Sequence, residues 1–124
     1  MRVIVAGATG WTDEAAIRRE LAGLPPGSVV IHGDCAGADE IAGRVAAELG
    51  LSVEPMRKEP PDFARHGRDA WKGLNERMLA AGAVLVLGFH QGPEPGAGTR
   101  HLVELARAAG VEVRLFRPNS PLSP

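Results

Sequence analysis

The stretch Val29-Val30-Ile31-His32-Gly33-Asp34-Cys35-Ala36-Gly37-Ala38-Asp39 decides how the rest of the chain is read. Its first three residues are apolar and β-branched, which suits a short buried strand. The Gly33–Gly37 run then breaks any regular element. From Ala38 to Leu49 the apolar residues Ile41, Val45 and Leu49 recur at helical spacing, and Gly50 terminates them. Leu51 to Met56 reads as a further strand. Strand, glycine loop, helix and strand form a βαβ unit, whose crossover is too long for a hairpin and therefore makes the strands parallel.

The same pattern extends in both directions. Upstream, Val3 to Ala6 reads as a strand ended by Gly7. A helix from Asp13 to Leu24 follows, with Ala16, Ile17, Leu21 and Leu24 on one face, Thr12 or Asp13 as its cap, and Pro25-Pro26-Gly27 as its stop. Downstream, Arg57 to Gly67 is expected to be a long connection containing Pro60-Pro61. A helix is expected from Arg68 to Ala81, closed by Gly82. Ala83 to Leu87 is the most apolar strand and is expected at the centre of the sheet. Phe89 to Gly98 is a Gly/Pro-rich loop, Thr99 to Ala109 a helix and Val111 to Leu115 the last strand. This alternation predicts an α/β fold, a Rossmann-like three-layer sandwich with a five-stranded, mainly parallel sheet. Residues 1–117 form the expected single domain, and residues 118–124 a frayed tail.

Composition narrows the function. A chain of 124 residues with 44% hydrophobic and 23% charged residues has globular rather than disordered composition. A formal net charge of -1 and five aromatic residues weigh against nucleic acid as a partner. Cys35 is the only cysteine, which removes disulfide frameworks and multi-cysteine metal sites within one chain. His66, His90 and His101 show no metal-ligand spacing, so no metal site and no resident cofactor are expected. The first apolar run stops at Gly7, and no stretch approaches membrane length, so a cytoplasmic protein with no membrane partner is expected. Self-association by twofold symmetry is also expected.

The chemistry is expected where the glycines are. Gly7-Ala8-Thr9-Gly10, Gly33 to Gly37 and Gly92 to Thr99 each follow a strand, and all three loops lie on the edge of an open α/β sheet where ligands bind. Each loop feeds a helix whose first amides are unpaired and carry partial positive charge. Together they are expected to cradle a phosphate or another anion. Gly96-Ala97-Gly98-Thr99 lacks the lysine of a Walker A loop, and the first loop lacks the third glycine of the dinucleotide fingerprint.

Gly7-Ala8-Thr9-Gly10-Trp11-Thr12-Asp13, His32-Gly33-Asp34-Cys35-Ala36-Gly37-Ala38-Asp39, Asn75 to Met78 and Gly96 to Thr99 together resemble the SLOG superfamily, and most closely its small bacterial YspA-like branch. The resemblance runs from about Arg2 to Leu115 and implies a Rossmann-like fold that binds nucleotides or nucleotide-derived ligands, as in a sensor. It also implies kinship with the LOG phosphoribohydrolases, often labelled lysine decarboxylases, which cleave the N-glycosidic bond of nucleoside monophosphates. The chain departs from the pattern in three places. Thr9 and Leu74 stand where the branch has arginines, and Leu102 stands at the LOG glutamate position. Glu104 lies two residues further on, about half a helical turn away.

The expected ligand-binding set is Gly7, Ala8, Thr9, Trp11, Gly33, Asp34, Gly37, Asp39, Asn75, Gly96, Ala97, Gly98, Thr99 and Arg100. Trp11 is read either as a base-stacking residue or as packing over a helix end. Asp39 is read as a cap or first-turn helix charge or, through the resemblance, as a partner of a ribose hydroxyl or as the residue that orders the Gly33–Gly37 loop. An arginine from the connection Arg57 to Lys72 could replace the missing loop arginines over a phosphate. If the chain is an enzyme, an N-glycosidic hydrolase is the alternative to simple binding, with Asp34, Asp39 or Glu94 as the acid. A protein- or nucleic-acid-interaction domain is the third reading.

Overall fold

The computed structural model describes residues 1–118; the remainder of the expected tail lies outside the described residues. Five strands form one sheet: β1 (Arg2–Gly7), β2 (Val29–His32), β3 (Ser52–Pro55), β4 (Leu85–Phe89) and β5 (Glu112–Phe116). The order is β3-β2-β1-β4-β5 and every pairing is parallel, so "mainly parallel" becomes wholly parallel. The centre is β1, not the expected fourth strand. β4 is flanked by β1 and β5 and buried at all five positions, which accounts for its apolar sequence without a central place.

Helices α1 (Glu14–Ala22), α2 (Ala38–Glu48), α4 (Trp71–Ala80) and α5 (Ala97–Ala108) correspond to the four expected ones. A fifth, α3 (Pro60–His66), followed by a 3-10 turn at Gly67–Asp69, occupies the segment expected to be a plain connection. The two prolines that suggested a loop sit in the first turn of α3, where their missing N–H costs nothing. Glu59 and Asp62 close a reciprocal capping box around that turn.

Two apolar layers sandwich the sheet. Val3, Val5, Val30, Leu87 and Phe89 pack with Ile17, Leu21, Ile41 and Val45 of α1 and α2. Ile4, Ile31 and Val86 face the other way, onto Leu74 and Met78 of α4 and Leu102 and Ala106 of α5. Alternate residues of β1 therefore feed opposite cores, as the two-residue period of a strand requires. Chain order and spatial order diverge between β1 and β4. The first three strands step outward one way, and the path through α3 and α4 returns to the other side of β1. That divergence opens a crevice at the carboxyl ends of β1 and β4. Among the described residues, no helix is long and apolar enough to cross a membrane.

Candidate functional site

The loop after β1 is pinned from both sides. The Ala8 amide donates to the Phe89 carbonyl at 2.8 Å, and a Cβ on Gly7 would overlap that same oxygen. Gly37 has φ +77°, and a Cβ there would overlap the Ala8 carbonyl. These two glycines let the loops after β1, β2 and β4 touch backbone to backbone. Gln91 Nε2 donates to the Gly10 carbonyl at 3.0 Å and ties the first loop to the last.

Trp11 does not reach the crevice. It is 2% exposed, its indole N–H donates to the Asp13 carbonyl at 2.8 Å, and it meets Phe89 edge to face at 5.3 Å. A ring buried on its faces and satisfied at its one donor has no surface left for a base, which corrects the stacking expectation. Asp13 caps α1 by accepting the Ala16 amide.

The loop after β2 is folded around its own side chains. Asp39 Oδ2 accepts the Gly33 amide at 2.9 Å, and the nearby Cys35 amide also favours the charged carboxylate. His32 Nδ1 accepts the Asp34 amide at 2.9 Å, so this ring's proton is on Nε2. Burial pushes the His32 pKa down and favours this neutral form. The Gly33 and Asp34 amides are thus spent on side chains at the ends of their own loop, which removes those two from the expected three-loop cradle. Asp34, at φ +56°, turns outward to an ion pair with Arg57. Asp39 is 6% exposed, and burial raises its pKa from 3.8 to about 6 despite the opposing pull of the Gly33 and Cys35 amides.

The loop after β4 is different. Gly96 precedes α5 without a side-chain cap, and the first helical bond runs from the Arg100 amide to the Gly96 carbonyl at 2.8 Å. The amides of Ala97, Gly98 and Thr99 come before that bond and have no intrahelical partner. Asn75 supports this helix start from α4: its Nδ2 donates to the Gly98 carbonyl at 2.9 Å and lies 3.1 Å from His101 Nδ1. His101 in turn meets Trp71 edge to face at 5.5 Å.

Two adjoining chambers result, sharing Gly7, Thr9, Gly98 and Thr99 at their waist. The larger, about 510 Å³, lies between the loops after β1 and β4 and takes in Ala8, Gly96 and Ala97 of the expected set, with the candidate acid Glu94. The smaller, about 140 Å³, takes in Gly33, Asp39 and Asn75. Trp11, Asp34, Gly37 and Arg100 line neither. Gly37 acts by packing, Asp34 is engaged with Arg57, and Arg100 is exposed on α5.

Sequence reasoning missed Trp71, Met78 and Lys58, all of which line the smaller chamber. Trp71, Asn75 and Met78 stand on one face of α4 at positions i, i+4 and i+7, a spacing that could have joined them. Lys58, not an arginine, is the cation that the connection after β3 brings to the cleft. Arg57 is paired with Asp34 and Arg65 with Glu76. Leu102, at the LOG glutamate position, is fully buried under α4 and α5, and Glu104 is exposed and lines neither chamber.

A wholly parallel sheet with a cleft at its switch point defines a Rossmann-like domain built to present loops to a ligand edge. Residues 1–66 match the YspA, cpYpsA-related SLOG family, and the chain belongs to it. Over 122 residues it is 37% identical to the Gene 61 protein of Mycobacterium phage D29, a match covering 93% of this chain and 95% of that one. Its fold is similar to that of DNA processing protein A (DprA) from Streptococcus pneumoniae, with a TM-score of 0.74 at 17% identity. That match covers 98% of this chain and 52% of DprA, so the chain spans about half the length of that protein. The family match contains the loops after β1 and β2, while Asn75, Trp71 and the α5 start lie beyond it.

Proposed function

We propose that the chain binds a nucleotide or nucleotide-derived ligand in the two-chamber cleft. The observation that carries this reading is the uncapped start of α5, whose Ala97, Gly98 and Thr99 amides stand at the cleft between the chambers. Three amides and the positive end of the helix dipole suit a phosphate. Membership of the SLOG family supports the same class of ligand. Thr9 and Thr99 hydroxyls at the waist and Lys58 at the smaller chamber add donors for phosphate and sugar oxygens.

Calorimetric titration with AMP, ADP-ribose, cyclic nucleotides and nucleoside diphosphates tests the reading. Saturable binding that weakens in Gly98→Pro is expected, because proline removes one of the three amides. Absence of heat with every ligand, on protein shown to be folded, overturns it.

One observation favours turnover as a second reading. Of the three candidate acids, Asp39 alone is buried in a chamber wall with a pKa near the neutral range. Such a group can donate a proton to a leaving base in N-glycosidic hydrolysis. Release of free base from nucleoside monophosphates, abolished in Asp39→Asn, is the expected result; equal release by that variant removes Asp39 as the acid.

A further inference from the structure

The smaller chamber has an unusual polar lining. Its two deeply buried polar side chains are Asp39 and Asn75, at 6% and 7% exposure, whereas Lys58 and Cys35 are exposed at its mouth. The Asn75 amide is oriented without ambiguity, since the Gly98 carbonyl can only accept and so must face Nδ2. His101 Nδ1 meets the same Nδ2. Asn75 Oδ1 is left with no hydrogen bond among the described residues. Among the described residues no fully shielded side-chain oxygen or nitrogen lacks a partner, so this oxygen keeps some accessible surface on a residue that lines the chamber. Asp39 accepts the Gly33 amide at Oδ2, and two oxygens with about four lone-pair sites leave acceptor capacity over.

The buried end of the chamber is therefore acceptor-rich. Its remaining walls are apolar: Trp71, Leu74 and Met78, with Ala6 from β1. At 140 Å³ it holds about five water volumes, the room of one ring system rather than of a whole nucleotide. An unmet buried acceptor selects a group that brings an N–H or O–H to it, and penalises one that brings another lone pair. Apolar walls and an aromatic side chain favour a heterocycle over a sugar.

We propose that the smaller chamber is a base pocket selecting an amino-bearing nucleobase, its exocyclic N–H groups donating to Asn75 Oδ1 and Asp39. The proposal rests on the nucleotide reading above and adds its base specificity. The phosphate then stands at the α5 start, the sugar crosses the waist at Thr9 and Thr99, and the base lies beside Trp71.

The test compares AMP, GMP and CMP with purine riboside 5′-monophosphate, which keeps the phosphate, sugar and purine ring but has no amino group. Affinity is read by tryptophan fluorescence and, independently, by calorimetry. The tightest of the three amino nucleotides is expected to bind at least about tenfold more tightly than purine riboside monophosphate, as for other sites built around a substrate N–H. The fluorescence change on binding is expected to vanish in Trp71→Phe, because Trp11 is sealed in the core. Affinities within threefold of one another overturn the base selectivity and leave nucleotide binding standing. A fluorescence change that survives in Trp71→Phe places the base elsewhere and also overturns it. Failure of all four ligands to bind overturns the nucleotide reading itself, and this proposal with it.

Discussion

The Asp39 carboxylate accepts the Gly33 amide at 2.9 Å, from the second residue of the helix that follows the loop containing Gly33. This bond turns the loop after β2 inward upon an acid, so the Gly33 amide cannot serve an anion. It also places a buried carboxylate in the wall of the cleft, where its protonation state affects both stability and ligand contacts.

The stability contributed by Asp39 is expected to fall as pH rises. Its pKa is raised from 3.8 to about 6 by burial, so between those values the folded chain holds a proton that the unfolded chain has lost. Stability is therefore highest below about pH 4, declines as pH rises through 6, and levels off above. The shift corresponds to on the order of 2–3 kcal/mol. Urea unfolding of wild type and Asp39→Asn across this range checks it: the difference between the two should change in that direction, and a flat difference would refute it.

Asp62 is expected to behave with the opposite sign. The Arg77 guanidinium, followed by the Glu59 amide, holds its pKa below the ordinary value. Its contribution is thus fully present above the usual carboxylate range and is lost as pH drops below about 4. Asp62→Ala removes both the α3 capping box and the Arg77 bond, and should cost about 1–3 kcal/mol at pH 7. The cost should shrink at pH 3; denaturant curves at the two pH values decide.

The two tryptophans should separate cleanly. Trp11→Ala empties a core site and is expected to cost about 3–5 kcal/mol, whereas Trp11→Phe should leave nucleotide affinity unchanged. Trp71→Ala, at a half-buried cleft position, should cost less than about 2 kcal/mol and weaken nucleotide binding. Thermal unfolding and calorimetric titration of the same variants supply both numbers. Weakened binding in Trp11→Phe would contradict the assignment.

Glycine replacement should be position-dependent. Gly7→Ala and Gly37→Ala drive a Cβ into the Phe89 and Ala8 carbonyl oxygens, and each should cost about 2 kcal/mol or more. Gly27→Ala, at φ +82° with nothing within 4 Å, should cost only the left-handed backbone penalty, about 1 kcal/mol. Equal midpoints for the three in urea would show that loop contact is not what these glycines serve.

Much of the architecture was legible because it depends on local patterns. Val3-Ile4-Val5 and Val29-Val30-Ile31 announce strands buried on both faces, and the spacing Ile41, Val45 announces the helix between β2 and β3. α3 was not legible, because Pro60-Pro61 is equally compatible with a loop and with a helix's first turn. What separates them is the Glu59–Asp62 capping box and the hold of Arg77, a residue of α4, on Asp62. The central place of β1 was likewise hidden, since apolarity reports two covered faces rather than position in the sheet.

The candidate site divides along the same line. Sequence alone determined that glycine loops stand at the carboxyl ends of β1, β2 and β4, because strand, loop and helix signals are read within a few residues of each other. Only the tertiary structure decided which amides stay free. The Gly33 N–H is spent because the Asp39 side chain ends on it, whereas the Asn75 side chain ends on the Gly98 carbonyl and leaves the Gly98 N–H without a side-chain partner. Trp11 went to the core and Trp71 to the cleft for a related reason. A side chain's exposure is set by elements packed against it from elsewhere in the chain, here Phe89 for one and His101 for the other.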